Sequence, residues 1–228
     1  MKKLVVLALA VLFLSCNHSE SEPEDVIDCE DAQFWDYPPG MGDWAHLAAN
    51  QIPENILFCL STERLTDLCV RYPFLSTVFL HNFLDNGLKQ LYSTFSGIRE
   101  LFKRKDASKE LVKHYISLMQ TFEFTGYYIK SVDNLEVLLG FYAQKSDNIS
   151  EEDCKNLLQS LLYGHEKEVI YDDPNYSYPF PINFWARAHL IIKISPESIE
   201  KIPSMVFNAL IPREYMDIIN ELSYQLIK

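Results

Sequence analysis

Apolar residues in this chain recur every three or four positions, and this spacing constrains the fold more than any other feature. Clear examples lie within 111–119, 132–142, 154–162 and 215–226. Such spacing places the apolar side chains on one face of an α-helix. The sequence has no long alternating runs typical of strands, and only 7 glycines are available for turns. We therefore predict an all-α fold of eight to eleven helices with a layered or α-α superhelical packing.

Capping residues predict where several of these helices begin. Ser61 and Ser150 each offer a hydroxyl as an N-cap, and acidic residues follow Ser150 directly. Asp106 and Ser131 are the expected caps of two further helices. Pro53 precedes a helical pattern, where its missing N–H costs nothing.

One stretch, Phe74 to Tyr92, is apolar on more than one face when it is projected onto a helix. Leu80, Leu84 and Leu88 share one face, while Phe79 lies on another. A helix that is apolar nearly all round packs on several sides. We therefore expect a single central helix here.

The N-terminus carries the features of an export signal. Two lysines precede eleven apolar residues, Leu4 to Leu14, and Ser15-Cys16 follows. A membrane-spanning helix needs roughly 20 apolar residues, so this segment is too short to span as a stable helix. The end of the segment resembles the lipobox of bacterial lipoproteins, with Phe13 where that family usually has Leu. The resemblance implies a signal peptide over 1–15 and lipid attachment at Cys16; the alternative is an ordinary signal peptide whose Cys is incidental.

The segment after Cys16 is polar and acidic, with no aromatic residue before Phe34. Such a composition cannot bury enough apolar surface to offset the entropy of ordering. We therefore expect a flexible acidic tether over 16–33, followed by one all-α domain over 34–228. Acidic residues soon after the lipidated cysteine also resemble the surface-export signals of Bacteroidetes lipoproteins. This implies an outer-membrane location, with display at the cell surface as an option, and the membrane as a partner through the N-terminal lipid.

The charge distribution argues against nucleic acid as a partner. The formal net charge is −12, and no Lys or Arg occurs between Leu4 and Glu63. Binding to phosphate backbones requires clustered cations. We interpret the single basic cluster as a solvated helix face: Arg99, Lys103, Arg104, Lys105, Lys109 and Lys113.

Four cysteines besides Cys16 leave two interpretations open. An even count in an exported protein is compatible with disulfides among Cys29, Cys59, Cys69 and Cys154. However, Cys69 and Cys154 fall within apolar helical patterns, where a free Cys behaves as a small buried hydrophobe. We favour buried thiols over disulfides.

A set of short motifs runs in a fixed order through the region from Tyr37 to Met119. They are Gln51-Ile52-Pro53, Ser61-Thr62 with Leu65, Cys69 with Tyr72-Pro73, Gly87, Phe95 with Gly97, Glu100-Leu101, and Arg104 with Asp106-Ala107. In this order the motifs resemble a group of uncharacterised Bacteroidetes lipoproteins, which has Cys and Asn at the positions of Asn50 and Ser96. The resemblance implies a helical exported domain and no particular reaction.

Motifs for catalysis or metal binding are missing from the sequence. His165-Glu166 begins like a metalloprotease helix but lacks the second histidine, and no Gly-x-Ser-x-Gly elbow occurs. The best binding candidate is the aromatic loop over 171–185. Tyrosine and tryptophan rings combine a flat apolar face with a polar edge, which suits sugars and proteins. The hypothetical ligand-binding residues are Tyr176, Tyr178, Phe180 and Trp185, and the alternative is that they pack the loop onto the helices.

Taken together, these features predict a lipid-anchored envelope protein with a non-catalytic binding or scaffold domain for a glycan or protein ligand. We predict no catalytic residue, no metal and no cofactor. Two alternatives stay open. One is a hydrolase of envelope or gut polymers, which would need a deep pocket with several ionisable groups of shifted pKa. The other is a subunit of an envelope assembly, which would expose a contiguous apolar patch.

Overall fold

The computed structural model describes residues 51–81, 84–121, 129–147, 149–170, 182–202 and 213–228, together with Cys29 and Phe34. In these ranges most of the chain is helical and there is no strand, which confirms the predicted all-α class. In the same ranges no helix is both long and apolar enough to cross a bilayer.

The described ranges contain nine α-helices, a number within the predicted range. Four short helices come first: α1 (Glu54–Leu57), α2 (Thr62–Val70), α3 (Leu84–Thr94) and α4 (Ser96–Leu101). Five longer helices follow: α5 (Ala107–Thr121), α6 (Ile129–Lys145), α7 (Glu151–Ile170), α8 (Ile182–Ile194) and α9 (Arg213–Leu226). Two 3₁₀ helices, Leu75–Leu80 and Pro196–Glu200, lie between them.

Two of the predicted caps begin their helices as expected. The Ser61 hydroxyl accepts a hydrogen bond from the backbone N–H of Arg64 at 3.1 Å and starts α2. The Ser150 hydroxyl accepts one from the N–H of Asp153 at 3.0 Å and starts α7. Each bond satisfies a backbone donor that has no partner inside its helix. Ser131 is the third residue of α6, so the prediction that it caps this helix is wrong.

The prediction of one central helix over 74–92 is also wrong. A 3₁₀ helix occupies Leu75–Leu80, and His81 is extended, with φ −90° and ψ 145°. An extended residue ends the helical run, and α3 begins only at Leu84. The Leu80 side chain is 84% exposed while Leu84 and Leu88 are buried, so the face on which these three leucines were projected is not continuous in the structure.

Helices α5 and α7 run side by side in the same direction. Near the start of both helices, the Ser108 hydroxyl donates to Asp153 Oδ1 at 3.0 Å. Further along both helices, the Tyr115 ring lies against Gly164. These two contacts occur in the same order along the two helices, so the helices are parallel neighbours in one layer.

Helices α6 and α8 form the second layer and run parallel to each other. Asn183, at the start of α8, bonds to Glu136 in the middle of α6, and Lys193, near the end of α8, bonds to the Ser146 carbonyl just after α6. Glu136 also contacts Tyr115 of α5 at 2.6 Å. The predicted layered packing is therefore present in this part of the chain.

The pair α6 and α8 is the true centre of the described core. A Cβ added at Gly140 of α6 would lie 2.3 Å from Trp185 Cζ3 and 2.8 Å from the Ala186 Cα. Glycine thus allows the two helix backbones to approach closely, and the Trp185 indole is completely buried. Interiors are close-packed, so such a contact leaves no room for a side chain.

One disulfide joins Cys29 to Cys59, so the prediction of free buried thiols is wrong for this pair. It is correct for Cys69 and Cys154, which are free and buried. Cys29 lies within the segment predicted as a tether over 16–33, but the disulfide attaches it to the loop between α1 and α2. The sequence could not pair these cysteines, because they are 30 positions apart and pairing depends on how the chain folds back.

Candidate binding site

A groove of about 500 Å³ lies between the parallel helices α5 and α7. Helix α5 contributes Ser108, Lys109, Val112 and Ile116. Helix α7 contributes Asp153, Asn156, Gln159, Ser160 and Tyr163. Residues three or four positions apart lie on one helix face, so one edge of each helix forms a wall. The volume falls within the range of about 300–1,000 Å³ that is typical of small-molecule sites.

The base of the groove is polar but already hydrogen-bonded. Ser108 and Ser160 are buried, with 3% of each residue exposed. The Ser160 hydroxyl donates to the Leu157 carbonyl at 2.7 Å, and the Ser108 hydroxyl donates to Asp153. Buried polar groups with such partners stabilise the packing. The Ser108 bond therefore joins the two walls, whereas the Ser160 bond lies within α7.

The upper edges of the groove carry three exposed polar side chains, Lys109, Asn156 and Gln159. Within the described part of the chain, none of them makes a hydrogen bond or an ion pair. An amide side chain offers two donors and one acceptor group, and an ammonium offers three donors. The groove therefore presents several hydrogen-bonding groups that a ligand can use.

Asp153 closes the end of the groove near the helix starts. Its Oδ1 accepts from Ser108 and its Oδ2 accepts from the Ser150 hydroxyl at 2.7 Å. Asp153 is the single carboxylate among the groove residues, and none of them is a histidine. This set holds no acid–base pair.

Tyr163 lines the groove toward the other end and is half-buried. The Lys167 ammonium lies 5.5 Å from the centroid of its ring. Val112 and Ile116, also half-buried, provide apolar surface along the α5 wall. The groove therefore combines an aromatic ring and aliphatic surface with the amides of α7.

A second polar cluster lies inside the protein, among α5, α6, α7 and α8. The Tyr115 phenol donates to Glu136 Oε1 at 2.6 Å, and the Asn183 amide donates to the same oxygen at 2.7 Å. The Asn183 amide also donates to the Leu161 carbonyl at 3.1 Å. We call Tyr115, Glu136, Asn183 and Arg187 the buried cluster. None of the four lines the groove.

Burial controls the protonation of the acidic groups in and beside this cluster. Burial raises the pKa of Glu136 to about 7, against the opposing effects of the hydrogen bonds from Asn183 and Tyr115 and the positive charge of Arg187. Burial, and then the negative charge of Glu136, raise the pKa of Asp133 to about 7. Loss of water disfavours the charged form of a carboxyl.

Arg187 connects the buried cluster to the C-terminal helix. The residue is completely buried, and its Nη2 donates to Asn220 Oδ1 of α9 at 2.8 Å. Its guanidinium carbon also lies 4.5 Å from the centroid of the Phe184 ring. A buried guanidinium needs such partners, since an uncompensated buried charge is costly.

Two histidines near the centre are held neutral. Burial lowers the pKa of His189 to about 4. Burial, together with the positive charge of Arg187, lowers the pKa of His165 to about 4. Among the described residues no group of three His, Cys, Asp or Glu side chains could hold a metal ion.

The predicted aromatic site is only partly within the described residues. Trp185 is fully buried against Gly140, so the prediction that it belongs to an exposed binding surface is wrong. Its position in an apolar helix that packs on two sides is the physical reason. Tyr176, Tyr178 and Phe180 lie outside the described residues, as does Cys16, and their roles stay predictions.

Two members of the predicted basic cluster, Arg104 and Lys113, have partners on other elements. Arg104 donates to the carbonyl oxygens of Leu60 at 2.6 Å and Leu57 at 2.9 Å. Lys113 pairs with Glu63 at 2.8 Å. These cations have separate partners on separate elements, while Lys109 of the same cluster faces the groove.

The sequence analysis missed the groove residues of α7. A signal was present, because Asp153, Asn156, Ser160 and Tyr163 recur at spacings of three and four beside the apolar face of the same helix. A second stripe of this kind is also typical of an ordinary solvated face. The position of α5 decides between a groove wall and a solvated face. The sequence of α7 alone does not reveal that position.

Comparisons of the chain with protein-family models, with curated proteins and with solved structures found no match. The likeness to the group of lipoproteins therefore stays a prediction. The chemistry of the groove is the basis from which a function can be inferred.

Proposed function

We propose that the chain is an exported, lipid-anchored envelope protein whose helical domain binds a ligand in the groove between α5 and α7 without catalysing a reaction. The binding part is supported by the exposed polar groups of Lys109, Asn156 and Gln159, which have no partner among the described residues and lie beside half-buried apolar surface. The anchor rests on the N-terminal sequence and on Cys16.

The framework of the groove supports binding by a preformed site. The Ser108–Asp153 bond joins the starts of α5 and α7, and the contact of Tyr115 with Gly164 sets their spacing further along. A site on two fixed helices loses little conformational freedom when a ligand binds. Rigid walls thus favour recognition of a defined ligand.

The acidic groups support binding over hydrolysis. Glycoside hydrolases of the usual kind place two carboxyl groups on either side of the scissile bond. Among the described residues that line the groove, Asp153 is the one carboxylate, and both of its oxygens already accept hydrogen bonds. The carboxyls with raised pKa, Asp133 and Glu136, are not among the groove residues.

The lipid anchor is tested by phase partition of the full chain in a detergent that separates on warming. Each buried acyl CH₂ contributes about 0.8 kcal/mol, so several chains on one cysteine hold a protein in the detergent phase. We expect the wild type in the detergent phase and Cys16→Ala in the aqueous phase. Cys69→Ala is the matched control, because Cys69 is a buried free thiol, and it should partition as the wild type does. Retention of Cys16→Ala in detergent would refute the anchor.

The groove is tested with panels of immobilised oligosaccharides and peptides. We expect the wild-type chain to bind members of one panel and the double variant Asn156→Ala/Gln159→Ala to lose that binding, with the bound compound recovered chemically unchanged. Binding that the double variant keeps would refute the groove. Turnover of the bound compound that Asp153→Asn abolishes would refute the non-catalytic assignment.

A further inference from the structure

We infer that the ligand of this groove is a neutral oligosaccharide; this inference rests on the proposed function and names its ligand class. The argument starts from the exposed groups of the groove. Asn156 and Gln159 stand one helical turn apart on α7, and Lys109 faces them from α5. Each amide can donate and accept at the same time.

A sugar hydroxyl has the same dual character. It is one donor and two acceptor lone pairs on a single oxygen, so a row of hydroxyls pairs well with a row of amides. Asn156 and Gln159 supply such a row, and their hydrogen-bonding groups have no partner in the described part of the chain. The pattern of donors and acceptors therefore suits a polyhydroxylated ligand.

The apolar part of the groove suits the other half of a sugar. Tyr163 presents an aromatic ring, and Val112 and Ile116 present aliphatic surface opposite it. Pyranose rings carry C–H groups on their faces, which pack against flat apolar surfaces while the hydroxyls point sideways. Aromatic side chains with a polar edge provide this combination. The volume of about 500 Å³ accommodates a short oligosaccharide.

Charge favours a neutral ligand over an acidic one. Among the groove residues, the positive charge of Lys109 is balanced by the negative charge of Asp153. The whole chain carries a formal net charge of −12, which repels polyanions at long range. An acidic glycan would gain one favourable charge in the groove, the Lys109 ammonium, and would be repelled by the net negative charge of the chain.

Peptides fit the groove less well. An extended peptide gains affinity by adding a strand to an exposed sheet edge, and the described ranges contain no strand. A helical peptide needs a continuous apolar groove for side chains at i, i+3 and i+4. Here the exposed edges carry an ammonium and two amides.

The test is an array of neutral glycans, acidic glycans and peptides, probed with the full chain and two double variants. The first variant is Asn156→Ala/Gln159→Ala in the groove. The matched control is Asn86→Ala/Gln120→Ala, which changes the same residue types at exposed helical positions outside the groove. We expect binding to a subset of neutral glycans, at least a tenfold loss of affinity in the groove variant, and no change in the control.

A second pair of variants separates ring stacking from hydrogen bonding. Tyr163→Phe keeps the ring and should keep affinity for the neutral glycan within about twofold. Tyr163→Leu removes the flat ring but keeps apolar volume, and should lose tenfold or more. The helical content of each variant is checked by circular dichroism, so that a loss of binding can be distinguished from a loss of fold. Equal affinity of both variants would overturn the stacking part of the inference.

The remaining outcomes distinguish the two proposals. Binding of acidic glycans alone or of peptides alone, lost in the groove variant, overturns the neutral oligosaccharide and leaves the groove as the site. Binding of any kind that survives in the groove variant overturns both proposals. Absence of binding across the whole array also overturns both.

Discussion

The chain contains two polar regions that share helix α5, the buried cluster and the groove, and they are built in opposite ways. In the buried cluster, Glu136 receives hydrogen bonds from Tyr115 and Asn183 and is almost completely enclosed. In the groove, Asn156 and Gln159 are exposed and have no partner in the described part of the chain. The cluster uses its polar groups to hold the protein together, whereas the groove leaves them available to a ligand.

The comparison shows that a shifted pKa does not by itself mark a functional site. The strongest shifts among the acidic groups belong to Asp133 and Glu136, and burial is the main cause of both. Structural networks shift pKa values as active sites do. The candidate site is instead the region where the hydrogen-bonding capacity is unused and solvent can reach it.

The largest expected effect on stability comes from Gly164→Ala on α7, a substitution that disturbs Tyr115 of the buried cluster. A Cβ at Gly164 would lie 1.9 Å from the Tyr115 phenol oxygen and 2.7 Å from the ring carbon that bears it. Tyr115 would have to move, and its bond to Glu136 would be lost. We expect Gly164→Ala to lower the free energy of unfolding by about 3 kcal/mol, although alanine is the better helix former.

Urea denaturation followed by circular dichroism measures this change. Asn156→Ala on the same helix is the matched control. The double variant Gly164→Ala/Tyr115→Phe lacks the phenol oxygen and should be less destabilised than the sum of the single variants. If Gly164→Ala is as stable as the wild type, Tyr115 is not locked in the cluster, and the contrast with the groove fails.

The second prediction concerns pH. Because burial raises the pKa of Glu136 from 4.5 to about 7, the folded state prefers the protonated carboxyl. The stability that this preference contributes is complete below about pH 4.5 and is lost as the pH rises through about 7. Glu136→Gln removes the titration and keeps a neutral hydrogen-bonding side chain.

We therefore expect the stability of the wild type relative to Glu136→Gln to fall by roughly 2 kcal/mol between pH 4.5 and pH 7, since one pKa unit corresponds to about 1.4 kcal/mol. Asp133, His165 and His189 also titrate near this range, so the difference between the two proteins is the quantity to measure. Glu200→Gln, at an exposed position, is the control and should show no such trend. A difference that is constant with pH would mean that Glu136 is ionised throughout.

The sequence predicts those parts of the molecule that depend on neighbouring residues. Periodicity in α5 and α7 places Leu111, Tyr115 and Leu157 in the core, and all three are buried. The Ser61 and Ser150 caps involve only residues three positions away. Such features depend only on residues close together in the chain, so a short stretch of sequence is enough to predict them.

The parts that the sequence does not predict depend on residues far apart in the chain. The Asn183–Glu136 bond spans 47 positions, and the disulfide joins cysteines 30 positions apart. Trp185 is buried because Gly140 of another helix leaves space for its ring. The groove has the same origin, since its two walls come from helices whose relative position is set by the Tyr115 contact with Gly164.

The smallest expected effect on stability is at the groove itself. Asn156 and Gln159 are exposed, and their side chains have no partner among the described residues. Alanine is also a better helix former than asparagine or glutamine. We expect Asn156→Ala/Gln159→Ala to change the free energy of unfolding by no more than about 0.5 kcal/mol. A loss above about 1 kcal/mol would show that these amides belong to the packing, and the groove would then resemble the buried cluster. An unchanged stability combined with a tenfold loss of glycan affinity is the result that only a ligand-binding edge produces.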